Sequence, residues 1–277
     1  MKKVIVTGAN AGIGFETARQ LGEKGMQVIL LGRREEALRE AASKIKNVVG
    51  YYVVDLSLME SVRKVAVQIV SEHEQIDVLV NNAGGVFSRY EETVEGIEKQ
   101  WASNFLGPYL LTGLLLPSLQ RSGFARIVNV SSDSHYAGKV EINNPGLKGE
   151  YSTMKAYAQS KLCNVLFTYA VHKRLSDKGI RVYALHPGLV KTDIGKKAGG
   201  WLESLGWQLW SMGGIRVEDG AATSVYLASS SEVESKSGTY WDKCKEKKSS
   251  GLSYDIELQE KVMQIAAQTT GFYFDKL

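Results

Sequence analysis

The sequence predicts an α/β fold: a doubly wound parallel sheet of about seven strands with helices on both faces, formed as a single domain. Three observations predict it. Short β-branched runs alternate with longer amphipathic segments, a glycine-rich stretch joins the first apolar run to the first helical pattern, and no linker, repeat or low-complexity tract breaks the alternation. With 44% hydrophobic and 23% charged residues and only four prolines, the composition argues against disorder and coiled coil. The chain of 277 residues exceeds the common domain range of roughly 100–200, yet α/β chains of this length fold as one unit.

The elements follow in order. Strands are predicted at residues 3–7 (KVIVT), 26–31 (MQVILL), 49–54 (VGYYVV), 76–80 (IDVLV), 125–130 (ARIVNV), 180–185 (IRVYAL) and 238–241 (GTYW). Between them, apolar residues recur at helical spacing over residues 13–24, 34–46, 58–72, 94–121 and 153–176. Each crossover is expected to be right-handed. The longest uncharged stretch, residues 100–120, is interrupted by Asn104, Pro108, Thr112 and Pro117 and reads as a buried helix rather than a membrane span. Residues 243–248 read as a solvated, charged loop.

Net charge excludes little: 34 basic against 30 acidic residues give +4, a surplus too small to mark a nucleic-acid surface. A small anionic ligand is expected instead. Cys163 and Cys244 can form no disulfide framework, and neither they nor His73, His135, His172 and His186 show metal-ligand spacing. No metal is expected. Because Met1-Lys2-Lys3 leads straight into the first strand, no signal peptide is expected and a cytoplasmic location follows.

Thr7-Gly8-Ala9-Asn10-Ala11-Gly12-Ile13-Gly14 stands where a dinucleotide-binding turn requires it, after a strand and opening a helix. Gly8 permits the tight turn, Gly12 lets backbone amides approach a pyrophosphate at the helix N-terminus, and Gly14 allows close helix-to-strand packing. Asn10 and Ile13 complete this Rossmann-type turn. The second strand ends in Gly32-Arg33-Arg34, where an NAD-binding chain would place a carboxylate for the ribose hydroxyls. Arg33 can instead grip a 2′-phosphate, which favours NADP(H); the competing reading is an arginine that merely begins a solvent-facing helix. Asp55 can accept a bond from an adenine amino group or cap the next helix.

These motifs, followed by Asn81-Asn82-Ala83-Gly84, Asn104, Ser131-Ser132, Tyr157-Ala158-Gln159-Ser160-Lys161 and Pro187-Gly188, resemble in order those of the short-chain dehydrogenase/reductase family. The resemblance covers nearly the whole chain. Within the family the retinol-dehydrogenase-like branch is most similar, through residues 126–132 (RIVNVSS), 157–167 (YAQSKLCNVLF), His186-Pro187-Gly188 and Ser237-Gly238-Thr239-Tyr240.

Hydride addition to a carbonyl develops oxyanion charge, which needs a positioned proton donor and further hydrogen bonds. Tyr157 can be that donor, and Lys161, at i+4 on the same helical face, brings an ammonium expected to favour the phenolate over a free phenol of pKa about 10. A second YxxxK, Tyr151 with Lys155, lies before and inside the first turn, where a lysine opposes the helix dipole, so Tyr157 and Lys161 are preferred. Either Ser131 or Ser132 suits the strand end on physical grounds. The resemblance implies Ser132 as the partner of the substrate oxygen, Lys161 as a holder of the nicotinamide ribose, and Asn104 as the anchor of a water in a proton relay. Asn82 is a candidate cofactor contact, although asparagine after a strand is commonly turn chemistry that holds the sheet edge by backbone hydrogen bonds. The resemblance makes Thr192 a contact of the nicotinamide amide, although Thr192 equally suits an ordinary helix N-cap. His135 reads as a solvated loop histidine rather than a lining of the substrate pocket.

From Gly199 to Gly214 the chain reads GGWLESLGWQLWSMGG, and by its position the resemblance implies that residues 190–215 form a lid over the substrate. Trp201, Trp207 and Trp210 can enclose an apolar alcohol or carbonyl, rest on a membrane interface, or pack in the core or between subunits of a homo-oligomer. The sequence thus reads as an NADP(H)-dependent oxidoreductase acting on a lipophilic alcohol and its aldehyde or ketone. The competing class is a silent NADP(H)-binding sensor or scaffold, disfavoured by the intact Asn104, Ser132, Tyr157 and Lys161.

Overall fold

A computed structural model describes residues 1–188 and 216–276 of the protein. The strands are β1 (Lys3–Thr7), β2 (Gln27–Gly32), β3 (Val48–Val53), β4 (Val78–Asn81), β5 (Ala125–Val130), β6 (Ile180–His186), β7 (Thr239–Asp242) and β8 (Lys245–Lys247). They form one sheet in the order β3-β2-β1-β4-β5-β6-β7-β8, parallel throughout except for β8, which runs antiparallel to β7. Side chains alternate across the strands, and both faces are apolar. Ile5, Ile29, Leu79, Ile127 and Val182 face one core; Val4, Val6, Val28, Val80, Val128 and Leu185 face the other. A strand buried on two sides must be apolar at successive positions, which is why these segments read as unbroken β-branched runs.

Helices α1 (Gly12–Glu23), α2 (Glu35–Lys44) and α7 (Val217–Ser229) cover the second core. On the first lie α3 (Met59–Glu72), the single turn α4 (Lys99–Trp101), α5 (Gly107–Gln120), α6 (Thr153–Leu175) and α8 (Ile256–Thr270). The sequence reading places no helix after residue 176, so α7 and α8 are additions. In α8, Val262, Met263, Ala266 and Ala267 are buried at helical spacing, and the Asp255 carboxylate caps its first turn by accepting from the Leu258 amide.

Two readings are corrected. Residues 94–98 are not helical: Gly96 has φ +75° and Glu92 bridges Glu98 before the helix begins, with the buried Glu98 carboxylate accepting from the Gln100 and Trp101 amides. Between α4 and α5 the backbone makes a π-helical turn, Ala102–Leu106, that carries Asn104. Residues 243–248 are not a loop. They supply a two-residue hairpin turn and β8, whose three charged, exposed residues discourage further pairing at the sheet edge.

The buried stretch within residues 100–120 is confirmed as helix α5, and among the described residues no helix is long and apolar enough to cross a membrane. Thr192 and the expected lid at 190–215 lie outside the described residues.

Candidate active site

Strand order changes direction between β1 and β4, and the crevice outside the carboxyl ends of strands at such a point is where open α/β sheets bind ligands. The glycine turn after β1 fills one side. Gly8 and Gly12 adopt φ of +67° and +54°, and a Cβ on Gly14 would lie 2.3 Å from the Gly8 carbonyl oxygen and 2.4 Å from Asn82 Nδ2. Glycine is therefore required at 8 and 12 by backbone conformation and at 14 by close approach. No side chain caps α1, whose N-cap is Ala11, so its first amides keep their hydrogen-bonding capacity for an anionic group. The Asn82 amide and Nδ2 donate to Thr7 Oγ1 (2.9 Å) and the Thr7 carbonyl (2.8 Å), which locks β4 to the turn. Together these residues fit a dinucleotide.

Asn10 Oδ1 stands 2.7 Å from where a Cβ on Gly32 would be, so the turn and the end of β2 meet there. Arg33 follows, exposed, with no ion pair among the described residues. Asp55 is not the cap of α3. Its carboxylate accepts from the Ser57 amide (2.9 Å) and hydroxyl (2.7 Å), while the first amides of α3 are met by Glu95, at 2.7 Å for Met59 and 2.9 Å for Glu60. Sequence reading misses that cap because 36 residues separate Glu95 from Met59.

On the other side of the crevice the Ser132 side chain lies beside the Tyr157 phenol, while its hydroxyl donates to the Ser134 hydroxyl and accepts from the Ser134 amide, at 3.2 Å each. Ser131 turns inward, is buried, and donates to the Lys161 carbonyl at 2.7 Å, which separates the roles of the two serines. Lys161 is buried one turn beyond Tyr157, with Nζ 5.6 Å from the Tyr157 ring centroid and 3.0 Å from the Val130 carbonyl, to which it donates. A Cβ on Gly84 would lie 3.2 Å from that Nζ, so the glycine after Asn82-Ala83 leaves room for the lysine. The rival pair has other work. Tyr151 precedes α6 and donates to the Phe87 carbonyl at 2.7 Å, while Lys155 pairs with Glu141 at 3.1 Å and Glu150 at 3.3 Å.

Electrostatics differ from the expectation. The Tyr157 phenol is pushed up rather than down, because burial penalises the phenolate more than the neighbouring Ser132 side chain relieves it. The same burial brings Lys161 down to about 8. Asn104 is buried, and both its amide donors are engaged, with the Gly85 carbonyl (2.9 Å) and Ser160 Oγ (3.2 Å), while Oδ1 accepts from the Gly85 amide (2.9 Å). Its side chain thus fixes the Gly84-Gly85 backbone against α6. His135 is not solvated: it is buried and bridges two backbone segments.

A sequence profile described as short chain dehydrogenase matches residues 2–203. The chain belongs to the short-chain dehydrogenase family. The family is one of oxidoreductases that bind a nicotinamide dinucleotide, and the glycine turn described above is where this member fits one. The chain is similar to mouse retinol dehydrogenase 12, with 35% identity covering 99% of this chain and 88% of that protein. Mouse retinol dehydrogenase 11 is 39% identical over 88% of this chain and 78% of its own, and human polyprenol dehydrogenase 36% over 96% and 84%. Among solved structures, a protein from Mycobacterium Paratuberculosis superposes with a TM-score of 0.82 at 30% identity, covering 99% of this chain and 95% of that one. A short-chain type dehydrogenase/reductase from Mycobacterium marinum gives 0.69 at 25%, covering 86% and 92%.

Proposed function

We propose that this short-chain dehydrogenase is NADP(H)-dependent and interconverts a lipophilic alcohol and its aldehyde or ketone, with Tyr157 as proton donor. The observation that carries this reading is the buried Lys161 with Nζ 5.6 Å from the Tyr157 ring centroid and the Ser132 side chain beside that phenol. When bound, the reduced nicotinamide supplies the hydride that adds to the carbonyl carbon. The chain handles the oxygen. Ser132 donates a hydrogen bond to it, and Tyr157 delivers the proton as negative charge develops. Because burial raises the Tyr157 phenol, it holds its proton at neutral pH, which is the form reduction needs. Lys161 holds the nicotinamide ribose, and Asn104 acts by positioning Gly85. Arg33, exposed beside Gly32, binds the 2′-phosphate. Similarity to retinol and polyprenol dehydrogenases supports a lipophilic substrate.

Loss of NADPH absorbance against a panel of aldehydes, ketones and quinones tests the reading. Tyr157→Phe is expected to cut turnover by about 100-fold or more while NADPH still binds. Undiminished turnover in that variant contradicts the assignment.

A further inference from the structure

Ser132 caps the 3-10 turn Asp133–Ala137, which His186 holds by accepting from the Asp133 amide at 3.2 Å and His135 holds at the Ser132 carbonyl itself. The His135 ring is fully buried, with Nδ1 2.6 Å from the Ser132 carbonyl oxygen and Nε2 3.1 Å from the Ser250 amide nitrogen. A backbone amide can only donate, so Nε2 accepts and Nδ1 carries the single ring proton, donated to Ser132. The geometry therefore calls for a neutral Nδ1–H ring. The His135 amide donates to the same carbonyl at 3.0 Å, which fills both of its acceptor positions. Tyr136 and Tyr240 pack against the ring with centroids 4.0 and 4.7 Å away, and the Tyr136 hydroxyl donates to the Lys248 carbonyl at 2.6 Å.

The other end of this bridge is fixed to α6. Ser249 Oγ hydrogen-bonds Tyr169 at 2.6 Å and Ser253 Oγ at 2.7 Å, and the Ser253 hydroxyl donates to the Ser250 carbonyl. Helix α6 also carries Tyr157 and Lys161. Both partners of the Ser132–Tyr157 contact are thus referenced to one helix, Tyr157 directly and Ser132 through residues 249–253 and His135.

We propose that His135 is a positioning residue: its ring couples the Ser132 carbonyl to the Ser250 amide, so that the segment after β8 sets where the Ser132 hydroxyl meets Tyr157. The inference rests on the roles given above to Ser132 and Tyr157. Three variants of the full chain test it. His135→Leu removes both bonds, and His135→Asn keeps a donor for the Ser132 carbonyl. Ser250→Pro breaks the bridge from the other side, because it removes the Ser250 N–H and sets the ring Cδ where that hydrogen pointed at His135, at a residue whose φ of −52° suits proline.

His135→Leu is expected to lower kcat for carbonyl reduction about tenfold, the effect of one misplaced hydrogen bond, with the KM values for carbonyl and NADPH within about twofold of the parent. Asparagine should restore most of the loss, and Ser250→Pro should reproduce part of it. Parental kcat in both folded variants, His135→Leu and Ser250→Pro, overturns the proposal. So does a fall in kcat matched by an equal rise in KM. Should the leucine variant not fold, Ser250→Pro carries the kinetic test. Ring-nitrogen NMR of histidine-labelled protein gives a readout independent of turnover. A neutral Nδ1–H ring at His135 supports the bridge, and an Nε2–H ring overturns it. If the parent protein reduces no carbonyl, the proposed activity fails while the ring signal still decides the bridge.

Discussion

Tyr157 and Lys161 feel the same burial with opposite results. A phenol taken out of water keeps its proton, and an ammonium taken out of water gives its proton up more easily, here at about 8. If the Lys161 ammonium holds the cofactor, NADPH affinity should be flat from pH 6 to 7 and should fall above about 8, by up to tenfold per pH unit. Fluorescence titration measures this, with Lys161→Met expected to flatten the profile; constant affinity of the parent through pH 9 would contradict it. Arg33→Ala should weaken NADPH about 10- to 100-fold, the loss of charge-assisted bonds to a phosphate, and leave NADH within about twofold. Equal losses for both nucleotides would remove Arg33 from the 2′-phosphate site. The tyrosine–lysine pair was legible because both residues sit within one helix and cap and dipole arguments are local. Ser132 was not separable from Ser131, since one peptide decides which hydroxyl faces Lys161's carbonyl and which faces Tyr157.

At the scale of elements, the hairpin between β7 and β8 is built from unfavoured residues. Lys243 and Cys244 both have positive φ, +50° and +57°, as a type I′ turn demands, yet neither is glycine or asparagine. The Cys244 amide donates to Thr223 Oγ1 at 3.1 Å, which helps to hold the strained turn. Replacing Lys243-Cys244 with Asn-Gly should therefore stabilise the protein by about 1 kcal/mol, a rise in Tm of about 2–4 °C in a thermal melt. A lower Tm would mean that the turn is unstrained. The same residues explain why β8 escapes a sequence reading: the usual turn signal is missing, and Lys245-Glu246-Lys247 carries no alternating apolar pattern. Likewise apolar residues recur through the run from 94 to 121, and nothing in its periodicity announces the π-helical turn that presents Asn104.

Across the whole molecule all four histidines, His73, His135, His172 and His186, are held below their ordinary value of 6.5, burial being the largest cause in each. The unfolded chain binds these protons at ordinary pH values and the folded chain does not, so stability is present above about 6.5 and declines as pH falls below it. Glu98, raised by burial, acts in the opposite sense but singly, and lowered carboxyls such as Glu16 and Asp77 matter only below about 4.5. Urea unfolding is expected to show a lower midpoint at pH 5.5 than at 7.5; equal midpoints would refute it. By itself the sequence determined the parallel sheet, the glycine turn and the Tyr157–Lys161 helix, because strand runs, turn glycines and i+4 spacing are properties of neighbouring residues. Tertiary structure alone decided the burial of His135, the bridge to Ser250 and the packing of α8 on α6. Each of these depends on residues far apart in the chain, 115 in the case of His135 and Ser250, and no local pattern encodes where such partners meet.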